Sequence, residues 1–269
     1  MRMKVNLYGE TFMDNKISEL ISSTVNQVPD KIEFVTDGSG VCNIFVDSGI
    51  YKLNDLSSTK KNYAWILESK SIRPDIINHF LDDIKKRTEP FEKVFTHNRQ
   101  LLELDDKFTF LHPTGYWVDD NVLIHKTKLV SMITSNKKNT PLQKKRVRFA
   151  KRNRMKIDLY GNGFNYISNK EDGLIDYFFS VAYENDDTDD YFSEKVLDCF
   201  ATKTIPIYYG SKNIKNYFNE EGIIFFDDYK YKNLSASFYN HNIDAVNENY
   251  EKVKKYRVPE DTIYSFLNT

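Results

Sequence analysis

Val181-Ala182-Tyr183-Glu184-Asn185, then Asp190-Tyr191-Phe192-Ser193-Glu194-Lys195, then Thr204-Ile205-Pro206-Ile207-Tyr208-Tyr209-Gly210 decide how this chain is read. They spell a buried strand, a polar loop, a helix opening at a hydroxyl residue, a second buried strand and a glycine turn. Apolar, β-branched and aromatic runs of this kind suit strands covered on both faces, as in a parallel sheet. Glu184 and Asn185 end the first strand at its carboxyl edge. Ser193 reads as an N-cap, so free N–H groups and the helix dipole there favour an anion. Lys195, in the first turn, adds a full positive charge suited to a diphosphate. Glu194 can accept hydrogen bonds from sugar hydroxyls. The same residues also fit an ordinary capped helix with a surface Lys–Glu pair.

Working outward, the alternation of strand and helix continues in both directions. Downstream, 223–226 reads as a strand and 214–218, 243–257 and 260–267 as helices, with Pro259 between the last two. Upstream, strands are expected at 129–134, 156–160 and 178–183, with a helix at 141–152. In the first half, strands at 4–8, 43–46, 63–67, 93–96 and 108–111 alternate with helical patterns at 17–25 and 74–87. Pro74 opens the latter, with Ile76, Ile77, Phe80, Leu81 and Ile84 on one face. Two such blocks imply an α/β fold of two Rossmann-like domains facing a central cleft, residues 1–125 and 126–269, joined near 115–128.

Composition excludes several classes. With 40% apolar residues, the 269-residue chain can build a sizeable core. A net charge of −1 provides no global field toward nucleic acid or membrane. Two distant cysteines argue against a disulfide framework and for a reducing compartment, so a cytoplasmic protein is expected. The five histidines lack ligand spacing, and no run is long enough to span a bilayer.

Further constellations bear on chemistry. Ser135-Asn136 leads into Lys137, Lys138, Lys144, Lys145, Arg146, Arg148, Lys151, Arg152, Arg154 and Lys156. Arg146 is the candidate to grip a diphosphate, because a guanidinium makes paired bonds to phosphate oxygens. Contact with nucleic-acid phosphates is a second reading and a solvated helix face a third; little aromatic interleaving argues against nucleic acid. Asp187-x-Asp189 resembles a metal-holding carboxylate pair but equally fits an exposed acidic turn. Glu68 ends an apolar strand beside Trp65; it can serve as a general base, cap its loop or pair with Arg73. Gly161 and Gly163 follow a strand and permit close backbone approach to a ligand.

Together, Glu184-Asn185, Tyr191-Phe192-Ser193-Glu194-Lys195 and Ile205-Pro206-Ile207-Tyr208-Tyr209-Gly210 resemble the carboxy-terminal signature of the α-1,3-fucosyltransferases, glycosyltransferase family ten. The upstream Ser135-Asn136, Arg146-x-x-Phe149 and Asp158-Leu159-Tyr160-Gly161 are similar to the same family's stretch. The resemblance spans about residues 129–227. It implies a GT-B fold, an acceptor-side first domain and a donor-binding second domain. It also implies inverting, metal-independent transfer from GDP-fucose to a glycan hydroxyl, with no cofactor. By the same resemblance Arg146 and Lys195 bind the diphosphate, and Tyr191 and Glu194 bind the donor's sugar hydroxyls. Asn136, Gly161, Glu184 and Asn185 complete the donor site, and Glu68 supplies the base. Ser193 stands where the family usually has Thr. Another nucleotide sugar, or a non-catalytic nucleotide- or glycan-binding role, is the alternative. By analogy with GT-B, the last helix is expected to pack back across the first domain.

Overall fold

The computed structural model of the chain describes residues 1–9, 22–24, 27–55, 59–119, 121–188, 190–229 and 232–267. The chain divides into two compact units, residues 1–115 with 258–269, and residues 116–257. The division falls at Gly115/Tyr116, upstream of 125/126, because Tyr116 and Val118 belong to the core of the second unit.

The first unit carries strands β1 (Met3–Tyr8), β2 (Ile32–Val35), β3 (Asn43–Val46), β4 (Asn62–Trp65), β5 (Lys93–Thr96) and β6 (Phe108–Phe110). They form one sheet in the order β2-β1-β3-β4-β5-β6, every pair parallel. Alternate side chains point to opposite faces. Phe45, Ala64 and Val94 pack with Ile76, Ile77 and Phe80 of helix α1 (Pro74–Asp82). Helices α2 (Ile84–Thr88) and α3 (Arg99–Leu102) are short. The helical run expected at 74–87 breaks at Asp83. That residue is extended and caps α2, its side chain accepting a hydrogen bond from the Lys86 amide. The pattern at 17–25 lies outside the described residues except for 22–24.

The second unit carries β7 (Lys128–Ile133), α4 (Pro141–Asn153), β8 (Asp158–Tyr160), β9 (Tyr177–Tyr183), α5 (Glu194–Ala201), β10 (Ile205–Tyr209) and β11 (Ile224–Phe225), then α6 (Ala236–His241) and α7 (Ile243–Val253). Its sheet runs β11-β10-β9-β7-β8, again all parallel. Both faces are covered, which explains the near-continuous apolar strands. Val181 and Ile207 pack on one face with Tyr239 and Val246; Ala182 and Tyr208 pack on the other with Val196, Leu197 and Phe200 of α5. The stretch expected as a helix at 214–218 is only a 3₁₀ turn, Ile214–Asn216.

Helix α8 (Pro259–Leu267) belongs to the first unit, where Ile263 packs with Val5, Ile44 and Trp65 on the sheet face opposite α1. Among the described residues no helix is long and apolar enough to cross a membrane.

Candidate functional site

In the second sheet β7 and β9 are neighbours, yet the chain leaves β7 for β8 on one side and β9 for β10 on the other. Loops that part in opposite directions leave a crevice at the carboxyl ends, where open α/β sheets bind ligands. α4 follows β7 and α5 follows β9, so both helices start at this edge.

α4 is anchored by a capping box. Thr140 Oγ1 accepts from the Gln143 amide at 3.2 Å, and Gln143 Oε1 accepts from the Thr140 amide at 3.3 Å. Its Lys144, Lys145, Arg148, Lys151 and Arg152 are exposed, whereas Arg146 is only 4% exposed. The helix thus separates one cation from the basic run and turns it inward. Arg146 Nη1 donates to Asn185 Oδ1 at 2.7 Å. Its buried Nε has no hydrogen-bond partner among the described residues. Burial pushes the Arg146 pKa down, opposed by the charges of Glu184 and Glu194 and by the nearby Tyr191 and Tyr183.

The start of α5 is built around Glu184, which is fully buried. Its Oε1 accepts from the Ser193 amide at 2.8 Å and its Oε2 from the Ser193 hydroxyl at 2.6 Å. Lys195 Nζ lies 2.9 Å from Ser193 Oγ, 3.2 Å from Glu194 Oε1 and 3.4 Å from Glu184 Oε2. Both Glu184 oxygens are therefore engaged, and its geometry is that of a brace for Ser193 and Lys195. Gly210, at the end of β10, makes room for that brace. A Cβ there would sit 2.6 Å from Glu184 Cγ and 2.5 Å from the Tyr208 hydroxyl.

Electrostatics bind the group together. Burial alone would raise the Glu194 pKa; Lys195 and Lys170 outweigh it and hold the carboxyl down at about 2. Burial alone would lower the Lys195 pKa; Glu194 and Glu184 outweigh it and raise it, while Arg146 opposes them. The Arg146 charge thus acts on Lys195.

The structure thus brings together Arg146, Glu184, Asn185, Tyr191, Glu194 and Lys195. Tyr191 is buried between the acidic loop and Ser193 in sequence, and acts on the Arg146 charge. Asn136 and Gly161 lie at the neighbouring β7 and β8 ends. Among the described residues no hydrogen bond or ion pair joins them to the Arg146–Lys195 group. Gly161, at φ 104°, would place a Cβ 2.3 Å from the Thr134 carbonyl oxygen, so the loop itself requires glycine there. In the acidic loop Asp187 Oδ2 accepts from the Tyr209 hydroxyl at 3.1 Å, and Asp189 lies outside the described residues. No set of three or more His, Cys, Asp or Glu side chains among the described residues is gathered as for a metal ion.

Glu68 stands at the carboxyl end of β4 in the first unit, half-buried. Arg73 pairs with Asp75 at 2.8 Å.

Sequence reasoning missed Lys170 and Asp198. Lys170 Nζ lies 2.7 Å from buried Asp198 Oδ2, 3.7 Å from Glu194 Oε1 and 4.1 Å from the Trp117 ring centroid. Nothing local marks Lys170, which lies in a 3₁₀ turn, Lys170–Gly173. Asp47 was missed too, although a carboxylate directly after a buried strand is the signal that singled out Glu68.

The sequence profile for glycosyltransferase family 10 (fucosyltransferase), C-terminal part, matches residues 123–263. An α-(1,3)-fucosyltransferase of Helicobacter pylori is 35% identical over 68 residues, which is 25% of this chain and 14% of that protein. A crystal structure of an α1,3-fucosyltransferase superposes with a TM-score of 0.54 at 15% identity, over 99% of this chain and 88% of that one. One of an α1,3-fucosyltransferase with GDP gives 0.52 at 14% identity, over 100% and 89%. At such identities the structural likeness speaks for the fold alone: α/β, of GT-B type, with two parallel sheets. The profile match across more than half of the chain, on the residues that build the Arg146–Lys195 group, means that this protein belongs to glycosyltransferase family 10.

Proposed function

We propose that the protein is an inverting, metal-independent transferase that moves fucose from GDP-fucose to a hydroxyl of a glycan acceptor. The family membership and the relative's activity support the donor. The observation that carries the reading is Arg146: a buried guanidinium, one nitrogen unpartnered among the described residues, within the field of Lys195. A buried charged donor without a partner is costly, and a phosphate oxygen satisfies it.

In this reading Arg146, Lys195 and the amide groups opening α5 hold the diphosphate. As the bond to the anomeric carbon breaks, negative charge grows on the departing phosphate. Cations already fixed by Asn185 and Glu184 favour that growth without reorganising. Tyr191 and Glu194 take the sugar hydroxyls, with Glu194 kept ionised by Lys195 and Lys170. The ring carbon, attacked from the face opposite the leaving group, inverts. Glu68 takes the proton of the acceptor hydroxyl. The positive charge at the diphosphate comes from Arg146 and Lys195, so the transfer runs without a metal ion.

Thermal unfolding in the presence of GDP, UDP and CDP and their sugars tests the donor, since a ligand bound only to the native state raises its stability. Selective stabilisation by GDP is expected; equal or no stabilisation overturns the assignment. Release of GDP from GDP-fucose, with and without candidate glycans, then separates a transferase from a protein that only binds the nucleotide sugar.

A further inference from the structure

Asp47 is the first residue beyond β3, at the same sheet edge as Glu68. Val46 pairs with Trp65 of β4, so the two strands end side by side. Asp47 has φ 46° and is fully buried. That left-handed backbone is where glycine is the default residue, and Asp adopts it only occasionally. An acid in such a place needs a task for its carboxylate. One is visible: Asp47 Oδ1 accepts from the Leu67 amide at 2.9 Å and from the Glu68 amide at 3.2 Å.

The next peptide, across the Glu68 Cα, is held from β5. Buried His97, just beyond that strand, places Nε2 3.4 Å from the Glu68 carbonyl oxygen. The next residue closes the loop, the Ser69 carbonyl accepting from the Ile72 amide at 3.0 Å and the Arg73 amide at 2.8 Å. The amide and the carbonyl of Glu68 are thus gripped by residues from two flanking strands, and its half-buried side chain projects from a fixed root.

We infer that Asp47 and His97 are positioning residues that clamp the backbone on either side of the Glu68 Cα, so that the Glu68 carboxylate meets the acceptor hydroxyl at one place. The inference rests on the reading of Glu68 as general base. The physical motive is that a base works only within hydrogen-bond reach of its proton, and a misplacement of about 1 Å can cost about 100-fold in rate. Asp47 suits the task because a carboxylate oxygen can accept two amide protons at once.

The test uses the full chain and GDP-fucose, with water as the acceptor and GDP release as the signal. Asp47→Gly removes the carboxylate while keeping the left-handed backbone unstrained. It is expected to lower kcat about 10- to 100-fold with KM for GDP-fucose within about 2-fold. Asp47→Asn keeps an acceptor oxygen and a tolerance for this backbone, and is expected to restore most of the rate. His97→Ala is expected to act in the same direction as Asp47→Gly. Hydrogen exchange at the Leu67 and Glu68 amides should speed up in Asp47→Gly and return to the parent rate in Asp47→Asn. If Glu68→Gln is slow but Asp47→Gly is not, or if exchange is unchanged in Asp47→Gly, the clamp is overturned and the base reading survives. Undiminished turnover in Glu68→Gln overturns the base reading and the clamp's purpose with it.

Discussion

Lys195 balances a carboxylate that water does not reach: Glu184 is 0% exposed and 3.4 Å from its ammonium. Lys195 therefore has a role in the fold that can be separated from the role proposed for it toward the diphosphate. Lys195→Met should cost about 3–5 kcal/mol, because it strands a buried charge. It should also weaken GDP binding at least about 10-fold. Glu184→Gln added to Lys195→Met removes the stranded charge and should recover most of the stability without the affinity. Urea unfolding and GDP titration of both variants check this; recovered affinity in the double variant would remove Lys195 from the diphosphate site. Glu194 yields a pH prediction. Its folded pKa, held at about 2 by Lys195 and Lys170 against burial, is below the ordinary 4.5. Its charge thus stabilises the fold above pH 4.5, and the contribution is lost as pH falls from 4.5 toward 2. The stability gap between the parent and Glu194→Gln should be constant from pH 5 to 7 and shrink below that, which acid-titrated unfolding would read. The Gly210–Glu184 approach was legible only as a glycine after a strand; why glycine is needed depends on Glu184 folding back toward it.

α5 shows how one cap can serve both a helix and a buried carboxylate. Ser193 opens the helix, and its side chain accepts from the Lys195 amide while donating to Glu184. Ser193→Ala removes the cap and one bond to a buried carboxylate, and should cost about 1–2 kcal/mol. Ser193→Thr keeps the hydroxyl and should lie within about 0.5 kcal/mol of the parent. Chemical denaturation of both variants decides it; equal losses would mean that the hydroxyl is not the stabilising group. The start of α5 was readable because N-caps are local. The inward turn of Arg146 was not a local property. Lys145 and Arg148 are as basic and near in sequence, yet only position 146 faces Asn185. The break between α1 and α2 escaped the periodicity because Ile84 continues the apolar face of α1 across an extended Asp83.

At the scale of the molecule, each unit needs both faces of its sheet covered. In the first unit, Ile76, Ile77 and Phe80 cover one face and the distant Ile263 helps cover the other. Ile263 is fully buried, so Ile263→Ala should cost about 2–5 kcal/mol, measured by urea unfolding. A loss below about 0.5 kcal/mol, as at a surface position, would mean that α8 adds little to that core. All the strands but β2 (Ile32–Val35), the parallel class and the helix start at Ser193 were determined by the sequence alone, because apolar runs, turn residues and caps act over a few neighbours; β2 is a four-residue strand broken by Glu33 that the apolar pattern did not mark. Tertiary structure alone decided that Glu184 braces Ser193 and Lys195, that Lys170 joins Glu194 and Asp198, and that Asp47 and His97 reach the Glu68 backbone. These contacts join residues carried on different elements. Their partners are chosen by strand order and helix rotation, which no local pattern encodes.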